Sequence, residues 1–224
     1  MDLSHIKSSK NVLPEKEYKM LVDYMINKVG PKNFPIYNFL PKNKTPKNLL
    51  EKVITKLIGQ EKHIEYWVRY NDACLWHIDA DEVSEKITTN PIMLPTEHFP
   101  THSYCYYVYL KDLQGGDFQI LPWNYHEEGR PTMDENYEPK EGDKVITLTP
   151  RNNYIVSWEG PLYHRVQRIL GGERLCLVWS TWDEIPRGYK NGLHWYWYDS
   201  LFHTAAYKRG YLLKEGQWPV KEER

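Results

Sequence analysis

No run of eighteen apolar residues occurs in the 224-residue chain, so the sequence predicts no membrane-spanning helix. Its most apolar stretch, YCYYVYL at 104–110, is too short to cross a bilayer. The first twenty residues, MDLSHIKSSKNVLPEKEYKM, lack the apolar core of a secretory signal. Cysteine is scarce: Cys74, Cys105 and Cys176 are odd in number, widely spaced and without a CxxC pair. That excludes a disulfide framework and a zinc ribbon. It predicts three small buried thiols in a reducing compartment, and the expected location is cytoplasmic. Glycine and proline are too few and too scattered for a collagen-like or low-complexity chain. P-loop, nucleophile-elbow and dinucleotide-binding signatures are all missing.

Arginine is absent from residues 1–62, although that segment holds 12 Lys against 6 acidic residues. Nucleic-acid binding favours arginine with interleaved aromatics, so the excess reads as the solvated face of amphipathic helices. No nucleic-acid or membrane partner is expected. Aromatics are plentiful at 14%, with 41% hydrophobic residues overall, which demands a packed core and excludes a disordered chain.

The apolar spacing predicts two helices near the N-terminus. One follows Pro14 and runs to about Lys28, with Tyr18, Leu21, Val22, Met25 and Ile26 on one face and Gly30-Pro31 stopping it. The other starts from Thr45 as N-cap with Pro46 at its first position, and carries a stripe from Leu49 to Ile58 before Gly59. From residue 63 the texture changes to short runs of Tyr, Trp, Val and Ile. Strands are predicted near 63–70, 74–79, 102–110, 117–123, 144–149, 153–158, 163–170 and 174–182. Turns are expected at Gly115-Gly116, at 150–153 and at Gly171-Gly172. Eight short strands without intervening helices predict a mainly β chain, an antiparallel sandwich or jelly roll. The expected organisation is one domain: helices over 1–62, a β core over 63–186, and an aromatic-rich extension over 187–224. Within the core, 124–143 is long, acidic and without apolar period, and reads as a lid-like insertion.

His77 and Asp79 lie two apart on a predicted strand, and therefore on one face. His164 on a later strand supplies a second imidazole. Two histidines and a carboxylate form the facial triad of non-haem iron oxygenases, which leaves three adjacent positions on the ion. Arg174, ten residues after His164, sharpens the reading, because iron that uses 2-oxoglutarate needs a fixed cation for the far carboxylate. Treating Gly171-Gly172 as a hairpin turn separates His164 and Arg174 by about five residues, on the order of 16 Å. Strand parity then requires a three-residue loop or a bulge to bring both to one face. His98 and His102 are spoiled as a helical metal pair by Pro100, and His126 falls in the acidic stretch. Trp76 and Trp179 read as core, while Asp81 and Glu82 either support a ligand histidine or lie at the surface.

With those residues in view, segment 63–184 resembles the Fe(II)/2-oxoglutarate dioxygenase superfamily, in its prolyl 4-hydroxylase-like branch. RYNDACLWHID resembles the strand leading into the branch's HxD. YVYLKDLQGGDFQILP is similar to its Tyr-Leu-Asn/Lys-Asp, Gly-Gly and Pro stretch, and HRVQRILGGERLCLVWSTWDE to its distal His, Arg and final strand. The resemblance implies a double-stranded β-helix with helices packed outside. It implies Fe(II) held by His77, Asp79 and His164, 2-oxoglutarate held by Arg174, O2 as oxidant and ascorbate as auxiliary reductant. The tyrosine that accompanies the arginine maps onto Tyr109, and a second onto Tyr70. Cys176 stands where some relatives carry Ser or Thr. The implied activity is hydroxylation of a prolyl, peptidyl or small amino-acid-like substrate. Two other classes stay open on the residues alone: a zinc-dependent hydrolase using the same three ligands, and a non-catalytic aromatic-lined module for peptide or sugar.

Overall fold

The computed structural model describes residues 4–29, 38–79, 98–124, 139 and 141–186. The chain divides into two units, residues 1–80 with 99–185 and residues 81–98 with 186–224. The second is represented among the described residues by His98 and Pro186 alone, and every described helix and strand belongs to the first. Asp81, Glu82, His126, residues 125–138 and 140 of the acidic stretch, and the 187–224 extension lie outside the described residues.

The N-terminal part alternates strand and helix: β1 (Ile6–Lys10), α1 (Glu15–Tyr24), a π-helical turn (Met25–Val29), β2 (Asn38–Leu40) and α2 (Leu49–Ile58). Helix α1 starts behind Pro14 as the sequence predicts, with Glu15 and Glu17 facing the positive end of its dipole. Helix α2 starts three residues later than expected, because Asn48 rather than Thr45 caps it. The Asn48 side chain accepts the Glu51 N–H at 2.9 Å, and Glu51 reaches back to accept the Lys47 N–H at 2.5 Å. Strands β1 and β2 escape the sequence reading: IKSSK is nearly all exposed and NFL is three residues long, so neither shows an alternating pattern.

Eight further strands complete the unit: β3 (His63–Tyr70), β4 (Cys74–His77), β5 (His102–Gly115), β6 (Phe118–Asn124), β7 (Ile146–Leu148), β8 (Tyr154–Glu159), β9 (Leu162–Val166) and β10 (Ile169–Trp182). They correspond one to one with the eight predicted. All pairings are antiparallel, in a six-stranded sheet ordered β1-β8-β5-β10-β3-β2 and a four-stranded sheet ordered β4-β9-β6-β7. From β3 onward the chain passes back and forth between the sheets, which is the winding of a double-stranded β-helix.

Strand parity sorts the core. Cys105, Tyr107, Val156, Trp158 and Cys176 of the large sheet meet Phe118, Ile120 and Leu162 of the small one. On the other side of the large sheet Ile64, Tyr66, Val68, Tyr106, Val108, Leu177 and Trp179 pack against Leu21 and Met25 from the first helical segment and Leu50, Val53 and Ile54 of α2. Stacking helices on that outer face buries both faces of the sheet.

The hairpin expected at Gly171-Gly172 does not form. β9 ends at Val166, the chain crosses to the other sheet through Gln167-Arg168, and both glycines sit inside β10. The parity argument for that hairpin falls with it, and β10 is irregular instead against β5, with register shifts between Ile169 and Gly171, Gly171 and Glu173, and Leu175 and Cys176. Gly172 has φ 81°, and a Cβ there would collide with the Lys111 and Asp112 carbonyls. All three cysteines are free, with Cys105 and Cys176 buried. No helix among the described residues is long and apolar enough to cross a membrane.

Candidate metal centre

The small sheet places His77 of β4 directly opposite His164 of β9, with their ring centroids 4.2 Å apart. β4 ends at His77, so Asp79 is not the next residue of a strand face as the sequence suggests. It lies just past the strand end, and its carboxylate spans both imidazoles: Oδ1 is 3.8 Å from His77 Nε2 and Oδ2 is 3.7 Å from His164 Nε2. Among the described residues these three alone offer ligand atoms grouped to hold a metal ion, all within 4.8 Å of one another. Two atoms bound to one ion at about 2.0–2.2 Å stand no more than about 4.4 Å apart, which both Asp79–histidine separations satisfy.

Both imidazoles are oriented for this. Nδ1 of His77 lies 2.8 Å from the Leu75 carbonyl, and Nδ1 of His164 lies 3.0 Å from the Leu162 carbonyl. A carbonyl only accepts, so each Nδ1 carries a proton and each Nε2 faces the carboxylate. His164 is 3% exposed and flanked by Trp158 and Phe118, at ring distances of 4.7 and 5.6 Å. His77 is 42% exposed and Asp79 16%, so one side of the group is open. Burial works against charge on His77, but the Cys74 thiol, the Asp79 carboxylate and the Leu75 carbonyl together raise its pKa to about 9. Burial and the neighbouring His77 charge push His164 down to about 4.

The group opens into a pocket of about 520 Å³, part of it open to solvent, and Arg174 of β10 stands in the same pocket. His164 and Arg174 therefore belong to different sheets, rather than to one hairpin. Arg174 is only 2% exposed. Its Nη2 donates to the Asp72 carbonyl and its Nη1 to the Gly116 carbonyl at 3.5 Å, while its Nε is buried with no partner among the described residues. Burial disfavours its charge, yet Cys176, Cys105, Tyr107 and Cys74 around it hold it cationic, with a raised pKa. A buried guanidinium with one N–H unmet has donor capacity left for an anion.

Tyr70 and Tyr109 do not join this pocket. Both pack with the outer cluster beneath the helices, and they stand opposite the same residue, Leu175, on its two neighbouring strands. For Tyr70 the cause is parity: Trp67 and Arg69 line the pocket, which turns Tyr70 outward. For Tyr109 the cause is a bulge. Cys176 pairs with Tyr107 and Leu175 with Tyr109, so Val108 is an extra residue that reverses the alternation. Tyr107 is the tyrosine left on the inner side. It is fully buried, its hydroxyl meets the Cys105 thiol with no other partner among the described residues, and it feels the Arg174 charge. Nothing in the residue types signals that exchange, because a bulge leaves no mark on them. Arg69 and Asp72, paired at 2.7 Å, also line the pocket and were not anticipated. Trp76 and Trp179 are buried away from it, as expected.

No family model matches the chain, and no curated protein matches it. Solved structures do. The non-heme alpha-ketoglutarate-dependent epimerase SnoN from nogalamycin biosynthesis aligns with a TM-score of 0.53 at 11% identity, over 80% of this chain and 78% of that one. HygX from Streptomyces hygroscopicus, solved with nickel and 2-oxoglutarate bound, gives 0.51 at 12%, over 81% and 83%. The non-heme alpha-ketoglutarate-dependent carbocyclase SnoK, also from nogalamycin biosynthesis, gives 0.51 at 8%, over 80% of each. The chain has the jelly-roll fold of the 2-oxoglutarate-dependent iron oxygenases.

Proposed function

We propose that the protein is an Fe(II)- and 2-oxoglutarate-dependent oxygenase, and specifically a hydroxylase. One observation carries the reading: the His77–Asp79–His164 group and a buried, incompletely bonded Arg174 share one pocket. The donor set fits the metal, since two imidazoles and one carboxylate suit non-haem iron and leave open positions. The guanidinium, with its Nε unmet, fits a carboxylate, and we place the Tyr107 hydroxyl, which feels the Arg174 charge, as its second donor. Two of the structural neighbours, SnoN and SnoK, are alpha-ketoglutarate-dependent enzymes, and a third, HygX, holds nickel with 2-oxoglutarate.

In this reading His77, Asp79 and His164 hold the iron, and Arg174 with Tyr107 holds the far carboxylate of 2-oxoglutarate. The bound iron and cosubstrate supply the activation of O2 and its delivery to a substrate C–H bond. The protein's part is positional and electrostatic. The Leu75 and Leu162 carbonyls fix the tautomer of each ligand histidine. Trp158 and Phe118 wall off His164 from water. Asp79 would fill the position that halogenases of this fold leave open for halide, which favours hydroxylation over halogenation.

The substrate we propose is prolyl, peptidyl or a small amino acid, on the strength of the likeness of segment 63–184 to the prolyl 4-hydroxylase-like branch. A zinc hydrolase would need no guanidinium buried opposite its metal and would want a general base. Among the described residues no glutamate lines the pocket, and its one carboxylate outside the metal group, Asp72, is paired with Arg69 at 2.7 Å. The test is anaerobic addition of Fe(II) and 2-oxoglutarate, which should produce a weak visible charge-transfer band. Free amino acids and proline-containing peptides would then be screened with O2 for succinate and hydroxylated product. Absence of the band at saturating Fe(II) and 2-oxoglutarate would sink the proposal.

A further inference from the structure

Arg174 is useful to a carboxylate only if its backbone is held still, and β10 is at its most irregular there. Residues 173–175 pair with β5 as an isolated three-residue segment, with register shifts on both sides. On the other flank, the regular ladder with β3 stops at the Tyr70–Leu175 pair, one residue short of Arg174.

Asn71, the residue after β3, takes over at that point. Its main-chain N–H donates to the Arg174 carbonyl at 3.0 Å, and its Oδ1 accepts the Arg174 N–H at 2.7 Å. A side-chain amide thus completes the pair that the backbone no longer makes. Its Nδ2 donates to the Gly172 carbonyl at 3.2 Å, which fastens the bulge as well. Asn71 has φ 47°, a left-handed conformation that asparagine tolerates better than most residues. The turn then delivers Asp72, whose carbonyl accepts from the Arg174 guanidinium. Main chain and guanidinium are therefore tied to two successive residues of one turn. That turn leads straight into β4, which carries His77.

We infer that Asn71 is a positioning residue for the cosubstrate, fixing Arg174 against the turn that leads into the metal-bearing strand. The inference rests on the reading of Arg174 given above. Asn71 does not line the pocket; it acts through Arg174.

The test compares full-length wild type, Asn71→Gly, Asn71→Asp and Arg174→Ala, each loaded with Fe(II) without oxygen and titrated with 2-oxoglutarate, with Fe(II) affinity measured alongside. Asn71→Gly keeps access to the left-handed conformation and removes only the side chain. Its 2-oxoglutarate affinity should fall roughly five- to thirty-fold, as expected for the loss of two modest hydrogen bonds. Asn71→Asp retains the acceptor for the Arg174 N–H and should recover part of that loss. Fe(II) affinity should stay within about twofold in both variants, since no ligand is touched. Asn71→Gly that binds 2-oxoglutarate like wild type, while Arg174→Ala does not, overturns this inference alone. Fe(II) and 2-oxoglutarate affinities falling together in both Asn71 variants would mark a general structural role and overturn it too. Wild type that binds Fe(II) but no 2-oxoglutarate overturns the functional reading, and the inference with it.

Discussion

Single residues in this site differ in what their loss should cost. His77→Ala, Asp79→Ala and His164→Ala each remove a ligand from a three-ligand group, so each should abolish stoichiometric Fe(II) binding. Circular dichroism should change little for His77→Ala, whose side chain is 42% exposed. Arg174→Ala leaves a carboxylate buried without its partner, at about 3–5 kcal/mol. That is a loss of 2-oxoglutarate affinity of roughly a hundred- to several-thousand-fold, with iron binding intact. The tyrosines give a sharper contrast. Tyr107→Phe should weaken 2-oxoglutarate about ten- to a hundred-fold, the range for a hydrogen bond to a charged group. Tyr109→Phe and Tyr70→Phe should leave it unchanged, since both side chains lie on the helix side of the large sheet; a Tyr109→Phe defect larger than that of Tyr107→Phe would reverse the assignment. Protonation matters for the metal as well. The His77 pKa, raised to about 9, means that the imidazole carries an extra proton at pH 7 that an incoming ion must displace. His164, lowered to about 4, is already neutral there. Metal affinity should therefore drop about tenfold per unit as pH falls from 9 toward 5. Calorimetry at pH 7 in buffers of different ionisation enthalpy should report close to one proton released per ion; none released would refute the coupling.

At the level of elements, irregularities do the aiming. The Val108 bulge decides which tyrosine turns to the inner side of the large sheet, and the shifts around Gly171 and Gly172 let β10 present Arg174 to the pocket. Gly172→Ala must adopt φ near 81° and push against the Lys111 and Asp112 carbonyls. We expect more than ~1 kcal/mol of destabilisation, with 2-oxoglutarate binding weakened alongside because Arg174 is two residues away. The cap of α2 is a control at the same scale. Asn48→Ala removes the acceptor for the Glu51 N–H and should cost about 1 kcal/mol, or some 2–4 °C in melting temperature. It should not alter 2-oxoglutarate affinity, because the Asn48 side chain bonds to Glu51 and Tyr66, on the helix side of the large sheet. A cosubstrate defect in that variant would show that the helical layer controls the pocket.

For the molecule as a whole, ligands that bind only the folded chain should raise its stability. At a hundredfold excess over its dissociation constant a ligand contributes about 2.7 kcal/mol, or roughly 5–11 °C at this chain length. Iron and 2-oxoglutarate should act in sequence, with the second increment absent in Arg174→Ala and the first retained. The mainly β class, the eight core strands and the helices that flank them were legible in the residues alone, because period-2 and period-3.6 apolar patterns are local and survive without knowledge of neighbours. So were His77, Asp79, His164 and Arg174, whose residue types and order are specific enough to be read together. Strands β1 and β2 were not, since their residues are mostly exposed or too few to alternate. Nor was the true turn between β9 and β10, where two glycines imitate a hairpin while serving a bulge. Three features emerge from the folded chain alone: His164 and Arg174 come from different sheets, Tyr107 rather than Tyr109 lies on the inner side, and Asn71 bonds the Arg174 main chain. Each depends on strand register, and register is fixed by pairing between segments far apart in the chain, so a single bulge reverses a face without changing any residue type along the strand.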